Sequence, residues 1–438
     1  MAVGVLLVGN GAREHAIAEA IKRSPQKPVL FAYMKANNPG IASLSDEVMI
    51  GSYDNFDAIK QFAQKTRPDF AFIGPEDPLD KGAVDMLETI GVPSVGPKKI
   101  LAQLETSKGF TRELMAKYRI EGNPEFRVFR SMKGIMEFLE NLDGFVVKPD
   151  GLTGGKGVKV QGEHLTTIKD ALDYCEDVLR THPTVIVEEK LDGEEFSLQC
   201  LTDGRTVIAT PPVQDHKRAY VNDQGPNTGG MGSYSCENLL LPFLTKKDVE
   251  EGLRITREVA DALYKETAQL YKGVMYAGLI VTKNGVRLIE YNARFGDPEA
   301  MNILPILKTD FIDICKAIIN TTLDKLKIEF DKKATVCKYA VPEGYPDNPV
   351  SNKKIDISGV PDNAKVYYAS VDNKEDGLYM SSSRAIGFVG IADTIEEAEK
   401  IAETAVKRVK GPVFHREDIG TKPLLDKRVR HMQKIREK

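Results

Sequence analysis

The chain has 438 residues, 42% of them hydrophobic and 28% charged, with a formal net charge of −4. That length suits roughly three domains with proper cores, and a slightly acidic chain does not fit a nucleic-acid partner, whose phosphate backbone demands a basic surface. Five cysteines without a Cys-x-x-Cys spacing suggest neither a disulfide framework nor a zinc knuckle, and with no signal peptide or membrane-length apolar run the expectation is a cytoplasmic chain that meets no membrane.

Residues 3–8 read as a buried strand running into Gly9-Asn10-Gly11 and then a helix over about 12–23. Further strands are expected at 29–33, at 70–73 and near 93–95, with a helix around 56–64, which gives the βα alternation of a parallel sheet ending near residue 103. A glycine turn after the first strand is also the dinucleotide signature. Here Glu14 follows Gly9-x-Gly11 in place of a third glycine, and Ala32-Tyr33-Met34 lacks the acid that would hold a ribose, so a dehydrogenase is disfavoured. The helix N-terminus at Gly11 can still receive an anion, with His15 beside it.

Residues 145–160 contain two β-branched runs flanking a loop with Gly151, Gly154, Gly155, Lys156 and Gly157. Glycines let backbone amides close over phosphate oxygens, and a lysine adds point charge. A Walker loop would need Ser or Thr after the lysine and a helix beyond it, whereas Gly157 and a second strand follow. The segment reads as a lid over a nucleotide, with Lys148 on the preceding strand aimed at its phosphates; an ordinary glycine-rich hairpin is the plainer alternative. A strand over 185–191 ends in acidic residues before a turn at Asp192-Gly193. Its end can present backbone groups and Glu188 to an adenine edge, and Glu195 can accept from ribose hydroxyls.

Residues 214–234 carry Asp215-His216-Lys217-Arg218 and then a Gly, Pro and Asn-rich run, 225–232, expected to be irregular and to approach a small substrate with main-chain groups. A helix over about 248–271 places Leu253, Ile255, Val259, Leu263 and Leu270 at core spacing. The stretch Leu288 to Glu299 is the most informative. On a strand, Glu290, Asn292 and Arg294 line one face and Ile289, Tyr291 and Ala293 the other, and two hard oxygen ligands beside a cation suit Mg²⁺ holding phosphates. Taken alone, the same stretch could be an edge strand with a solvated face. From 334 onward short strands at 335–341, 366–369 and 386–392 precede a helix over 395–409, and the basic end from 427 reads as a solvated terminal helix.

Taken in order, these segments resemble the ATP-grasp superfamily and, within it, the phosphoribosylamine-glycine ligases, also called glycinamide ribonucleotide synthetases. The resemblance covers nearly the whole chain: it includes Gly9 to His15, Gly74-Pro75-Glu76-Asp77-Pro78-Leu79, Ser107-Lys108-Gly109-Phe110, the lid loop, the Asp-His-Lys-Arg and Gly-Pro-Asn-Thr-Gly-Gly-Met-Gly runs, Asn292 to Glu299, and Arg416 to Gly420. Three departures stand out: Pro149 and Thr153-Gly154 in the lid, Ser382-Ser383-Arg384 in place of Gly-Gly-Arg, and no carboxylate on the strand before Glu290.

The resemblance implies an α/β and α+β ATP-grasp fold. An N-terminal parallel α/β (preATP-grasp) domain would span 1–103 and an ATP-grasp domain 104–328, with a mobile lid subdomain at about 120–191; a small α+β C-terminal domain would span 329–438. It implies ATP-dependent joining of glycine to 5-phosphoribosylamine through glycyl phosphate. Catalytic roles fall to Arg294, Asp215 and Lys217, and Mg²⁺ or Mn²⁺ to Glu290 and Asn292. ATP falls to Lys108, Lys148, Gly154, Gly155, Lys156, Gly157, Glu188, Lys190, Leu191 and Glu195. Substrate contacts fall to Gly9, Gly11, Glu76, Arg218, Asn227, Thr228, Gly229 and Gly230. The partners are small molecules, and a monomer is the expectation. The alternative is another ligase of the superfamily, differing in the Asp-His-Lys-Arg and Gly-Pro-Asn-Thr segments; a non-catalytic module would be expected to lack Glu290, Asn292 or Arg294.

Overall fold

A computed structural model describes residues 2–152 and 157–437. The first strand, Gly4–Val8, is buried at every position and sits mid-sheet. A five-stranded parallel sheet forms around it in the order Glu47–Ile50, Val29–Met34, Gly4–Val8, Phe70–Ile73, Ser94–Val95. Continuous apolar runs suit strands covered on both faces. The Glu47–Ile50 strand, half-exposed at the edge and without apolar alternation, was not expected from the sequence. Helix Ala12–Lys22 starts at Gly11, whose amide donates to Glu14 Oε2 at 2.7 Å.

A second, antiparallel sheet has the order Phe126–Phe129, Val185–Glu189, Phe145–Pro149, Lys159–Val160. With helix Ile168–Thr181 it encloses a small core of its own, including Phe129, Phe145, Val147 and Cys175. The third sheet is Val207–Ala209, Glu194–Thr202, Gly273–Thr282, Gly285–Asn292, all antiparallel. Helix Lys246–Thr267 buries Ile255, Val259 and Leu263, the apolar stripe expected there, and Thr245 caps it by accepting from Asp248 N–H.

The fourth sheet joins two distant parts of the chain. Its order is Gln214–Asp215, Gly232–Ser235, Ala334–Pro342, Ile386–Ala392, Lys365–Tyr368, with Val413–Phe414 pairing the end of Ala334–Pro342. Two expectations are corrected here. Residues 225–227 are not irregular: Gln224–Asn227 pairs antiparallel with Arg218–Tyr220 as a hairpin. Nor is helix Lys422–Glu437 merely solvated. It buries Leu424, Leu425, Met432 and Ile435, and it pairs Arg428 with Asp223 and Arg436 with Asp248, both at 2.7 Å. Its charges are spaced for partners on the body of the protein, which a composition-based reading of a basic end cannot reveal.

Candidate active site

The sheets converge on a cavity of about 620 Å³. Strand Gly285–Asn292 forms its floor, Lys148 looks in from the second sheet, Lys108 from the start of helix Lys108–Lys117, and Arg384 from the C-terminal sheet's loops.

On the floor, Glu290 and Asn292 line the cavity, and the largely buried Tyr291 between them touches it as well. The strict alternation fails at Ile289 and Tyr291, both of which also line the cavity. The ladder to Gly273–Thr282 slips between Gly278 and Leu279, a bulge that turns one residue out of register. The Ile289 carbonyl accepts from Arg112 at 2.7 Å and from Lys148 at 3.2 Å. Burial alone would raise Glu290, but Lys217, then Lys148 and Lys108, outweigh it and hold the carboxyl down to about 2. Lys217 Nζ is 3.4 Å from Glu290 Oε1, and Asn292 Oδ1 accepts from Arg294 at 3.2 Å. Two oxygen donors on one strand, one of them firmly ionised and both already facing cations, fit a hard divalent ion.

Arg294 is held on all sides. Its Nε donates to Glu76 Oε2 at 3.1 Å, Nη1 to the Phe295 carbonyl at 3.2 Å, and Nη2 to Asn292, with Glu105 Oε1 at 2.8 Å. Glu105 also accepts the Ala293 amide at 2.7 Å on its other oxygen. Burial pushes Glu105 up to about 7, because Arg294's single charge is shared with Glu76, whose carboxyl Arg294 and Arg13 pull down to about 2 against burial.

On the nucleotide side, Lys108, Lys148 and Glu195 line the cavity. Lys108 Nζ donates to the Gly151 carbonyl at 2.8 Å, and Lys148 Nζ lies 2.6 Å from Glu188. Glu188 is not free for an adenine edge: its two oxygens hold Arg112 and Lys148, so its buried carboxylate serves to fix those cations. Lys190 and Leu191 do not line the cavity, and Lys190 Nζ donates to the Gln161 carbonyl at 2.8 Å. The Gly157 carbonyl accepts from Tyr174 at 2.7 Å. Gly154, Gly155 and Lys156 lie outside the described residues.

On the opposite side stand Asp215, Lys217, Arg218, Asn227, Thr228 and Gly229. Arg218 pairs with Glu163 and donates to the Gly225 carbonyl at 2.9 Å. Gly230 lies just behind, with φ +110°, and a Cβ there would meet Asp215 Oδ1 at 2.8 Å. Gly9 and Gly11 are set back from the cavity; both are packed on Glu14, and a Cβ at Gly9 would fall 2.2 Å from Glu14 Cγ. His15 is structural: Nδ1 accepts from the Tyr368 amide at 3.1 Å. His216 is buried against Tyr234, and both ring nitrogens lack a hydrogen-bond partner.

Sequence reasoning missed Glu105, Glu299, Asp297, Arg13 and Arg384 as parts of this site. Glu299, Asp297 and Arg13 lay inside motifs already singled out, so their types were visible but not their direction. Glu105 had no local signal, since a lone acid near a helix end is common. Away from the cavity, Glu403, His415 and Glu417 cluster, but Glu403 is already paired with the fully buried Lys338, whose Nζ is 2.5 Å away. That cluster is an ion pair, not a metal centre.

Comparison with known proteins completes the description. Residues 3–105, 106–300 and 335–422 match, in turn, the N, ATP-grasp (A) and C domains of phosphoribosylglycinamide synthetase. A phosphoribosylamine-glycine ligase of Methanocella arvoryzae is 49% identical over 99% of this chain and 99% of its own. One of Methanocaldococcus jannaschii is also 49% identical, again over 99% of each. Among solved structures, the phosphoribosylamine-glycine ligase of Thermotoga maritima superposes with a TM-score of 0.80 at 26% identity, covering 95% of this chain and 100% of that one. The biotin carboxylase domain of Hydrogenobacter thermophilus 2-oxoglutarate carboxylase, at 15% identity and a TM-score of 0.71, shares the fold. Three domain matches in sequence order and near-half identity along the full length leave one conclusion: the chain belongs to the phosphoribosylglycinamide synthetase family and has its ATP-grasp fold.

Proposed function

We propose that this protein joins glycine to 5-phosphoribosylamine in purine biosynthesis, consuming ATP and giving glycinamide ribonucleotide, ADP and phosphate. The observation that carries the reading is full-length similarity to ligases named for that reaction. The cavity supports it by gathering phosphate-binding cations, hard oxygen donors and free carboxylates in one place.

A carboxylate is a poor electrophile because its leaving group would be oxide. Glycine's carboxylate oxygen therefore attacks the γ-phosphorus of ATP, breaking its bond to ADP and forming glycyl phosphate. The neutral amine of phosphoribosylamine then attacks the carbonyl carbon, phosphate departs and the nitrogen loses a proton. The protein's part is positioning and charge neutralisation. Lys108 and Lys148 neutralise ATP phosphates. Arg294, locked by Glu76 and Glu105, presents a fixed cation where charge builds on the transferring group. Asp215 and Lys217 orient the substrates, with Arg218 and the 227–230 loop beside them. A divalent cation, Mg²⁺ or Mn²⁺, held by Glu290 and Asn292 supplies further charge neutralisation on the phosphates when bound. We divide the chain into units over 1–103, 104–328 with its lid at about 120–191, and 329–438. No helix among the described residues is long and apolar enough to cross a membrane, in keeping with a cytoplasmic site of action.

The test is ADP release and product mass with ATP, Mg²⁺ and phosphoribosylamine generated in situ, with glycine set against other amino acids. Glycine-dependent ADP matched by glycinamide ribonucleotide is expected. ATP binding with turnover only on another acid overturns the glycine reading.

A further inference from the structure

The carboxylates around the cavity divide into two sets. Glu76, Glu105, Glu188, Glu290 and Asp297 each form an ion pair with a lysine or arginine. Among the described residues Asp215 and Glu299 form none. Asp215 Oδ1 accepts only the His216 main-chain amide, at 2.7 Å, and Glu299, 2% exposed, accepts the Tyr276 hydroxyl at 2.8 Å. Glu195, which also lacks an ion pair, is exposed and needs none. Glu299 is buried and Asp215 half-buried; a carboxylate taken out of water without a counter-ion is costly, so the two mark a place where a cation is expected.

The protein's own cations do not fill it. Lys217 is drawn upward first by Glu290, and only then, against burial, by Glu195, Asp215 and Glu299; its one ion pair is with Glu290. Arg384 is committed to Asp297 at 3.2 Å and to the Gly229, Gly230 and Asp297 carbonyls. Those bonds tie the 229–230 loop to the Asp297-Pro298 segment. A Cβ at Gly230 would lie 2.8 Å from both Asp215 Oδ1 and Pro298 Cδ, so the two carboxylate-bearing segments abut at this point. Burial pushes both carboxyls upward, and for Asp215 the charge of Glu299 adds to it.

We infer that Asp215 and Glu299 together seat the ammonium group of the amino-acid substrate, which brings the counter-ion the folded chain leaves out. The inference rests on the ligase reading above and extends it to Glu299. The chemistry selects the amino acid over the ribosyl amine. The attacking amine must be neutral to have a lone pair, and a two-carboxylate seat would favour its inert cation. The amino acid's own nitrogen has the opposite need: held as ammonium, it cannot attack a second activated acyl group.

The test compares E299Q with the unaltered protein, using glycine, ATP and phosphoribosylamine in turn as the varied substrate, and glycolate as the ammonium-free counterpart of glycine. Loss of one charge-assisted hydrogen bond is expected to raise KM for glycine about ten- to a hundredfold while KM for the other two substrates moves less than about twofold. E299D, which keeps the charge, restores most of the loss, and the preference for glycine over glycolate falls in parallel in E299Q. An unchanged KM for glycine, whatever happens to kcat, overturns the inference. If E299Q does not fold, D215N is read the same way. Absence of glycine-dependent ADP in the unaltered protein instead defeats the ligase reading, so the two failures are distinguishable.

Discussion

Arg294 shows how much of a side chain's role its surroundings decide. Its type was legible, but the expected strand ends at Asn292 and Arg294 stands in the bend beyond it, and the four acceptors that hold it come from three separate parts of the chain. Arg294→Ala is expected to keep ATP binding and lose about 10²- to 10³-fold in turnover; an active variant in a coupled ADP assay would remove arginine from the mechanism. Glu105 acts through it. Its two oxygens hold the Ala293 amide and the Arg294 guanidinium, so Glu105→Gln keeps the shape and loses the charge. We expect kcat to drop about tenfold or more with KM for ATP little changed, and a fall in KM affinity alone would show that Glu105 does not position the arginine. Glu105 was unreadable in the sequence because its partners are remote in the chain, whereas Glu290 and Asn292 advertised themselves by period two on a single strand.

At the level of elements, the long apolar strands and the amphipathic helix Lys246–Thr267 were legible because burial imposes their pattern locally. The hairpin Arg218–Tyr220 with Gln224–Asn227 was not, since its composition is that of a loop and its stability comes from elsewhere. Arg416, wholly buried, reaches Asp223 and Asp418 at 2.7 Å, and Arg428 of the terminal helix reaches Asp223 as well. Removing one partner of a buried pair leaves uncompensated charge. Arg416→Ala should therefore cost about 3 kcal/mol of stability and raise KM for the substrate bound near Arg218. A melting temperature unchanged by that substitution would mean the hairpin stands on its own.

For the molecule as a whole, acid should act mainly below about pH 4.5. Burial lowers His15 to about 4. Its neutral form is thus favoured in the folded state, and the stability this gives is complete above about pH 6.5 and lost as pH falls from there towards 4. Glu76, Glu188 and Glu290, each held near 2, add stability present above about pH 4.5 and lost as pH falls through the range below it. Glu105 works the other way, losing stability as pH rises from about 4.5 through 7. Between about pH 7 and 4.5 the His15 and Glu105 contributions oppose each other, so thermal melts should change little there and decline steeply below 4.5. In His15→Gln, which can still accept the Tyr368 amide, the Glu105 contribution is no longer offset, so stability should rise as pH falls from about 7 to 4.5; a profile identical to that of the unaltered protein would show that His15 does not oppose it. The sheet shared between Gly232–Ser235 and Ala334–Pro342 has a further consequence, for anyone dividing the protein. A fragment ending at Ile328 would keep the phosphate-facing residues yet leave Gly232–Ser235 with a bare row of amides and carbonyls, ready to recruit a neighbour's strand. Such a piece should precipitate, or recover its fold only when the missing fragment is supplied in trans, so the stretch 329–438 is better regarded as the other half of a seam than as an appendage.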